Sequence, residues 1–341
     1  MNKKIAVIIV SILMTTVFSA ITVNSAPVDY LSTRTTVYTS TQTSNDLLED
    51  HYAVVVGISV YADSVNNLPS PAMAATEMRD TLCSNGWSSD NILLLTNEQA
   101  TRQGILDALD WLSDKTGTVM FYFSGHGSQV KDTSGDEAGI DFIDEAIVPY
   151  ECSKSTLILD DELADIFAGF RAEEIVMIFI SCFSGGMAEE SNIVKEESFY
   201  RMPMEELKAS NRVIIAACQE GLTTYEFPIF GQPVARYLGE SFNGNADLNS
   251  DGKVTAEEAF EYTQPRAILS MATGLGYPIF VVEIIKAWLK GEVPFSIVVY
   301  TLTILGLTLP VPQLFDGDTS SDIVITELSS PLDTKSTLYS K

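Results

Sequence analysis

Positively charged residues and histidines are scarce in this 341-residue chain. It has 20 lysines and arginines against 46 aspartates and glutamates, which gives a formal net charge of −26. A surface with such an excess of negative charge repels nucleic acid and anionic lipid, so we expect neither as a partner. The sequence has two histidines, His51 and His126, and any imidazole that acts as acid or base has to come from this pair.

The N-terminal residues have the layout of a secretory signal peptide. Two lysines precede an apolar run from Ile5 to Val23, and small residues follow it. We therefore expect residues 1–25 to be a signal peptide and residues 26–49 to be a tether rich in Ser and Thr. The alternative is an uncleaved N-terminal anchor. Either arrangement predicts a protein that is extracellular or held at the cell surface.

From residue 50 onward, predicted strands alternate with predicted helices. Short apolar runs are typical of strands that are buried on both faces, and the segments between them have apolar residues at helical spacing. This alternation predicts an α/β fold with a mostly parallel central sheet covered by helices on both faces, and ligands that bind beyond the carboxyl ends of its strands. The predicted strands are Tyr52–Ile58, Ile92–Leu95, Val119–Phe123, Ile175–Ile180 and Val213–Ala217.

Two of these strands end in candidate catalytic residues. His126 follows the third strand between two glycines, and Cys182 follows the fourth. A neighbouring imidazole can take the proton of a thiol and later protonate the leaving amine. The backbone N–H groups of Gly127 and Cys182 are candidates for stabilising the oxyanion. The alternative is a turn histidine and an inert buried thiol.

Three other cysteines remain, at positions 83, 152 and 218. An odd number cannot all pair, and the spacing leaves the disulfide pattern open. Cys218 ends the fifth predicted strand, so we expect it to lie near Cys182, with which it could form a disulfide on oxidation.

The segments around His126 and Cys182 resemble the motifs of the caspase and metacaspase superfamily of cysteine peptidases. FYFSGHGSQ at Phe121–Gln129 resembles the histidine motif, and SCFSG at Ser181–Gly185 resembles the cysteine motif. The resemblance covers roughly residues 50–262. It implies a caspase-like sandwich, a Cys/His dyad and endopeptidase activity on proteins or peptides. Further similar segments are Ala53–Ile58, Asp144–Pro149 and Ala216–Glu226.

The substrate pocket departs from the family pattern. Metacaspases cleave after Arg or Lys and use acidic pocket residues, but two of those positions are occupied here by Ile180 and Ala74. Ser124 and Glu226 match the remaining pocket positions. The loss of two carboxylates should change the preferred side chain, so the residue before the cleaved bond stays open.

The same resemblance implies a calcium site. Calcium takes about six to eight oxygen ligands, mostly from carboxylates and carbonyls. A solvated acidic loop is the alternative. The residues that match the ligands of calcium-activated metacaspases are Asp144, Asp160, Asp161 and Glu189.

Residues 247–258 predict a second calcium site. Their sequence, DLNSDGKVTAEE, follows the pattern of a calcium-binding loop, with a glycine at the turn. A chance turn is the alternative, and a single loop of this kind is interpreted as structural rather than sensory. The predicted ligands are Asp247, Asn249, Asp251, Lys253 through its carbonyl, and Glu258.

The C-terminal part is unusually apolar. Residues 50–262 are predicted to be the peptidase domain, residues 263–311 an apolar helical insertion, and residues 312–341 a closing segment with a tail. Val293–Gln313 is uncharged and long enough to span a bilayer. We expect residues 276–311 either to associate with a membrane or to pack on the domain.

The sequence therefore predicts an exported, calcium-dependent, caspase-like cysteine endopeptidase. The main alternative is a catalytically silent, caspase-like surface module that binds calcium. A third interpretation is a hydrolase or transferase that uses the same dyad on a non-peptide acyl group. Turnover of peptides separates the first interpretation from the other two.

Overall fold

The apolar runs of the sequence form the strands of a central sheet. The computed structural model describes residues 48, 50–131, 143–182, 207, 209–218, 231–317 and 322–328. All five residues of the strand Arg212–Ala216 are buried, as expected for a strand covered on both faces. The strands are β1 His51–Gly57, β2 Ile92–Thr96, β3 Thr118–Lys131, β4 Ile143–Ile147, β5 Ile158–Leu159, β6 Glu174–Cys182, β7 Arg212–Ala216, β8 Lys253–Thr255, β9 Gln313–Asp316 and β10 Val324–Glu327.

The central sheet has the strand order β2-β1-β3-β6-β7-β9. The neighbours from β2 to β7 are parallel, and β9 is antiparallel to β7 at the edge. The second half of β3 runs beyond the parallel ladder and pairs antiparallel with β4, which in turn pairs with β5. The prediction of a mostly parallel sheet is confirmed.

Helices cover both faces of this sheet, as predicted. Alternate residues of β1 face opposite sides, with Val55 in one buried cluster and Val54 in the other. The first cluster contains residues of α1, α4 and α5, and the second contains residues of α2 and α3. The helices are α1 Pro71–Ser84, α2 Arg102–Ser113, α3 Asp160–Ala168, α4 Pro233–Glu240, α5 Ala256–Gly274, α6 Ile279–Leu289 and α7 Phe295–Leu305.

The first helix packs directly on the end of the first strand. A Cβ atom on Gly57 would lie 2.5 Å from both the Cβ of Ala75 and the carbonyl oxygen of Pro71, so only glycine allows this contact. The apolar face predicted for α1 is confirmed, since Ala75, Met78 and Leu82 are buried. This contact brings the N-terminal end of α1 to the carboxyl edge of the sheet.

The apolar C-terminal segment is joined to the domain by a continuous helix. Helix α5 crosses residue 262, where the sequence predicted the domain to end, and it contains Pro265 without a break. It packs with α6 and α7 around a cluster that includes Ile268, Ile285 and Val298. Helices α5, α6 and α7 therefore pack as a three-helix unit. Within the described ranges, no helix is long and apolar enough to cross a membrane.

The C-terminal strand β10 connects the predicted calcium loop to the start of the domain. It pairs antiparallel with β8, which lies inside the loop. The backbone carbonyl of Ile325 accepts a hydrogen bond of 2.8 Å from Nε1 of Trp87, and the carbonyl of Val324 lies 3.3 Å from Nε2 of His51. The side chain of Ile325 is fully buried. The closing segment is thus part of the fold.

Candidate active site

Strands β3 and β6 bring the two candidate catalytic residues side by side. Their parallel register runs from Thr118 opposite Glu174 to His126 opposite Cys182, so the last two residues are direct neighbours. Adjacent strands are about 4.8 Å apart, which puts the two backbones within reach of a side-chain contact. The structure describes the backbone of Cys182, and its thiol lies outside the described part.

A backbone carbonyl holds the ring of His126. Its Nε2 atom lies 2.8 Å from the carbonyl oxygen of Asn66. A carbonyl oxygen only accepts hydrogen bonds, so Nε2 must carry a proton and Nδ1 of the neutral ring is left as the acceptor. The ring therefore has the tautomer in which Nδ1 can take a proton from a thiol.

Burial sets the protonation state of this ring. His126 is half-buried, and desolvation lowers the pKa of its imidazole, although the bond to the Asn66 carbonyl raises it in part. The neutral form therefore persists to a lower pH than in an exposed histidine. A neutral imidazole is the form that can act as a general base.

The backbone amide of Gly127 faces β6. Gly127 lies opposite Ile147 of β4, and the amide of Val148 donates to the carbonyl of His126 at 3.0 Å. In an antiparallel ladder this bond identifies Gly127 and Ile147 as a pair that exchanges no hydrogen bonds. The N–H of Gly127 therefore points to the other side, where Cys182 lies, which is the side required by the predicted oxyanion role.

The predicted pocket residues are partly described. Ser124 lies opposite Gly57 on β1 and opposite Ile180 on β6. Ser124 is 2% exposed and Ile180 is 3% exposed, and Ala74 is half-buried on α1. These three side chains carry no charge. Glu226 lies outside the described residues.

The resemblance implies four residues as metal ligands, and the backbones of three of them lie near one another. The pairing of β4 with β5 brings the backbone of Asp144 to the start of α3. Asp160 begins α3 and is 1% exposed, and its Oδ1 atom accepts the amide of the half-buried Asp161 at 3.2 Å. Carboxylates in the first turn also interact favourably with the helix dipole. Glu189 lies outside the described residues.

The loop at residues 247–258 turns as predicted, and its carboxylates bind its own backbone. Gly252 has a φ of 85°. The carboxylate of Asp247 accepts the amides of Asp251 and Gly252 at 3.0 and 3.1 Å, and that of Glu258 accepts the amides of Leu248 and Asn249 at 3.2 and 3.3 Å. The predicted ligands are all oxygen donors, which suits calcium. In the part of the chain that the structure covers, no three His, Cys, Asp or Glu side chains come together as a metal-binding group.

Cys218 lies beside the residue that precedes Cys182. Its Sγ atom lies 3.7 Å from the carbonyl oxygen of Ser181, and the side chain is fully buried in the cluster that contains Phe179 and Ile214. Cys218 therefore lies near the backbone at this end of β6, as expected. Oxidation to Cys182 stays a prediction.

Sequence reasoning missed two residues that contact His126. One is Asn66, which acts through its backbone, and the other is Tyr61, whose hydroxyl oxygen lies 2.7 Å from the backbone nitrogen of His126. Both belong to the loop that follows β1. Only the position of this loop could have indicated them, since it leaves the sheet at the same carboxyl edge at which the candidate dyad lies.

Comparisons with known proteins agree with the geometry. Residues 51–191 match a family model described as "Metacaspase, peptidase C14 domain". Metacaspase-1 of Candida albicans is 33% identical over 171 residues, which cover 42% of this chain and 38% of that protein. Metacaspase-1 of Schizosaccharomyces pombe is 34% identical over 149 residues, which cover 39% and 34%. The chain thus spans well under half the length of these relatives.

Among solved structures, a protein from Geobacter sulfurreducens is 19% identical and has a TM-score of 0.47. The match covers 64% of this chain and 89% of that protein. The resemblance to the caspase and metacaspase superfamily, first seen in the two motifs, is confirmed by the family model and the curated relatives.

Proposed function

From the match of residues 51–191 to the metacaspase peptidase C14 domain, we propose that this chain is a cysteine endopeptidase. Cys182 is the nucleophile and His126 is the acid/base. The observation that supports the assignment most strongly is the register of β3 and β6, in which these two residues are direct neighbours. The substrates are proteins or peptides.

The proposed reaction uses the tautomer of His126. Nδ1 takes the proton of the Cys182 thiol, and the thiolate attacks the carbonyl carbon of the scissile bond. The N–H groups of Gly127 and Cys182 donate to the oxyanion. The C–N bond then breaks as the imidazolium protonates the leaving amine, and water hydrolyses the thioester while Nδ1 takes its proton.

The loss of two acidic pocket residues supports a preference that differs from that of basic-specific metacaspases. Ser124 and Ile180 are buried neighbours, and neither can pair with the charge of an Arg or Lys side chain. Glu226 is the one acidic residue left at the pocket positions, so a substrate with a basic residue before the cleaved bond should gain less here than in a pocket that keeps all its carboxylates. We propose that the preference for a basic residue at this position is weaker than in those metacaspases.

We also propose that calcium binds the loop at residues 247–258. Its oxygen donors and the positive φ of Gly252 support this assignment. Asp247, Asn249, Asp251 and Glu258 would hold the ion with side-chain oxygens, and Lys253 with its carbonyl. The ion would supply a fixed positive charge within an acidic loop. The positions Asp144, Asp160, Asp161 and Glu189 form a second, weaker proposal that rests on the family resemblance.

Export and membrane association are further proposals. The predicted signal peptide at residues 1–25 supports export. Exposed apolar side chains on α6 and α7 support contact with a neutral lipid surface, with Ile279 at 83% exposure as the most exposed of them. Flotation of the full chain with phosphatidylcholine vesicles tests this contact, and Ile279→Glu should weaken it.

The proposed function is tested with a peptide library that varies the residue before the cleaved bond. The full chain is assayed under reducing conditions, with and without millimolar calcium. Cys182→Ala should abolish cleavage, whereas the matched exchange Cys152→Ala should not. Absence of cleavage by folded protein would favour the silent surface module. Hydrolysis of small acyl esters without peptide cleavage would favour the third interpretation.

A further inference from the structure

We propose that Tyr61 is a positioning residue for His126. It acts through the hydrogen bond between its hydroxyl oxygen and the backbone N–H of His126, at 2.7 Å. This inference rests on the proposed dyad and adds a residue that neither motif contains. It follows from the way in which β1 ends beside β3.

Strand β1 stops too early to satisfy the amide of His126. On the β1 side of β3, the carbonyl of Ser124 accepts the amide of Ile58 at 2.9 Å. Two residues further along β3, the next donor on this side is the N–H of His126. The chain has by then left the sheet, because β1 ends at Gly57. The hydroxyl of Tyr61 takes the place of the missing strand carbonyl.

The surroundings of Tyr61 are built for this contact. Its side chain is 2% exposed, and its ring centroid lies 5.0 Å from that of His126. A Cβ atom on Gly125 would lie 2.8 Å from the Tyr61 hydroxyl, so an alanine there would push the hydroxyl away. The glycine before His126 thus makes room for the tyrosine.

The same loop also supplies the carbonyl that holds the ring. Asn66 lies five residues after Tyr61, and its carbonyl oxygen accepts from Nε2 of His126 at 2.8 Å. The loop is fixed by Asn97, whose Oδ1 accepts the amides of Ser59 and Val60, each at 2.9 Å. Oδ1 of Asn67 accepts the amide of Tyr61 at 2.9 Å. One loop, held in place by these hydrogen bonds, therefore contacts both the backbone and the ring of His126.

The variant Tyr61→Phe removes the acceptor and keeps the ring. The buried amide of His126 then lacks its partner, and the residue should shift away from the geometry that proton transfer requires. We expect kcat to fall about tenfold while KM changes less than about twofold. Tyr52→Phe is the matched control, because it removes a hydroxyl from a half-buried tyrosine near the opposite end of β1. It should leave both constants unchanged.

A second readout does not need peptidase activity. The chain has two histidines, so NMR titration of the Cys182→Ala protein resolves His126 once His51→Gln has assigned the other signal. Tyr61→Phe should change the chemical shifts and the pKa of His126 and leave those of His51 in place. If the chain proves not to be a peptidase, this titration still decides whether Tyr61 positions His126.

A third variant guards against a failure to fold. Gly125→Ala pushes the Tyr61 hydroxyl aside without removing it, and we expect it to lower kcat as Tyr61→Phe does. The added methyl group should destabilise the protein less when Tyr61 is already phenylalanine. The proposal would be overturned if folded Tyr61→Phe or Gly125→Ala protein had the kcat of the wild-type protein and the same titration curve for His126.

Discussion

His126 and Cys182 are register partners at the ends of two adjacent parallel strands. The pairing is fixed by the sheet, because the ladder of β3 and β6 extends over eight residue pairs before it reaches them. A dyad built in this way depends on strand register, and a slip of one residue would separate the two side chains. The rigid sheet sets the positions of the backbones, and the loop after β1 sets the tautomer of the imidazole.

The pH dependence of cleavage should report the buried imidazole. Burial lowers the pKa of His126 below 6.5, and below that pKa the ring is protonated and cannot accept the thiol proton. We therefore expect the acid limb of the kcat/KM profile to have its midpoint below pH 6.5. A midpoint well above this value would show that the ring is not desolvated as described.

The proposed binding of calcium to residues 247–258 can be tested with a substitution that keeps the N-terminal cap of α5. Thr255 and Glu258 form a capping box at the start of α5, and glutamine also serves at the second position. Glu258→Gln should therefore keep the helix while removing a charged, bidentate ligand. Calcium should raise the Tm of the wild-type protein and have little effect on this variant. Calcium that binds only the folded state would stabilise it by about 2.7 kcal/mol at a free calcium concentration 100 times Kd.

The control for this experiment is a carboxylate that is not a predicted ligand. Glu257→Gln makes the same substitution one residue away, and it should keep the calcium response. The loop assignment would be wrong if calcium raised the Tm of Glu258→Gln and of the wild-type protein equally, as measured by differential scanning calorimetry.

Glu257 should make stability fall as the pH rises toward neutrality. Burial raises the pKa of its carboxyl to about 7, and the negative charges of Asp322 and Asp316 add to this effect. The folded state therefore favours the protonated form, so the stabilising contribution is complete below about pH 4.5 and is lost as the pH rises through about 7. In calcium-free buffer, Glu257→Gln should increase the free energy of unfolding at pH 8 by about 1 kcal/mol, after allowance for solvent screening.

The same substitution should have little effect at pH 4.5, where the carboxyl is already neutral. Urea unfolding at the two pH values measures the difference. An equal effect at both values would mean that the carboxyl has an ordinary pKa in the folded protein.

The strand β10 should be required for stability. Ile325 is fully buried in the cluster that contains Trp87 and Val254 of the predicted calcium loop, and truncation of such a side chain costs about 2–5 kcal/mol. Ile325→Ala should lower the free energy of unfolding by this amount. The same exchange at Ile279, which is 83% exposed, should change it by less than about 0.5 kcal/mol. Similar losses at both positions would contradict the buried docking of β10.

Much of the sheet could be predicted from residue type and spacing. The continuous apolar runs of β1, β3 and β6 and the apolar faces of α1 and α2 are local signals, and each formed the element expected. The positions of His126 and Cys182 at strand ends were also visible, because a parallel sheet brings such ends to one edge.

The contacts that orient His126 could not be predicted in this way. Asn66 acts through its carbonyl, which every residue has, so its side chain gives no signal. Tyr61 contacts a backbone amide 65 residues away, and the pairing depends on where β1 ends. Helix α5 continues across residue 262, because the change in composition near residue 263 does not interrupt its backbone hydrogen bonds.

The central claim is that His126 activates Cys182, and alkylation rates test it without knowledge of a substrate. Burial raises the pKa of the thiols of Cys83 and Cys152, which keeps them protonated and makes them internal references. At pH 7, iodoacetamide should modify Cys182 at least about tenfold faster than these two, as measured by peptide mass spectrometry, and His126→Ala should remove the difference. Equal rates for the three cysteines in the wild-type protein, or an unchanged rate for Cys182 in His126→Ala, would contradict the account.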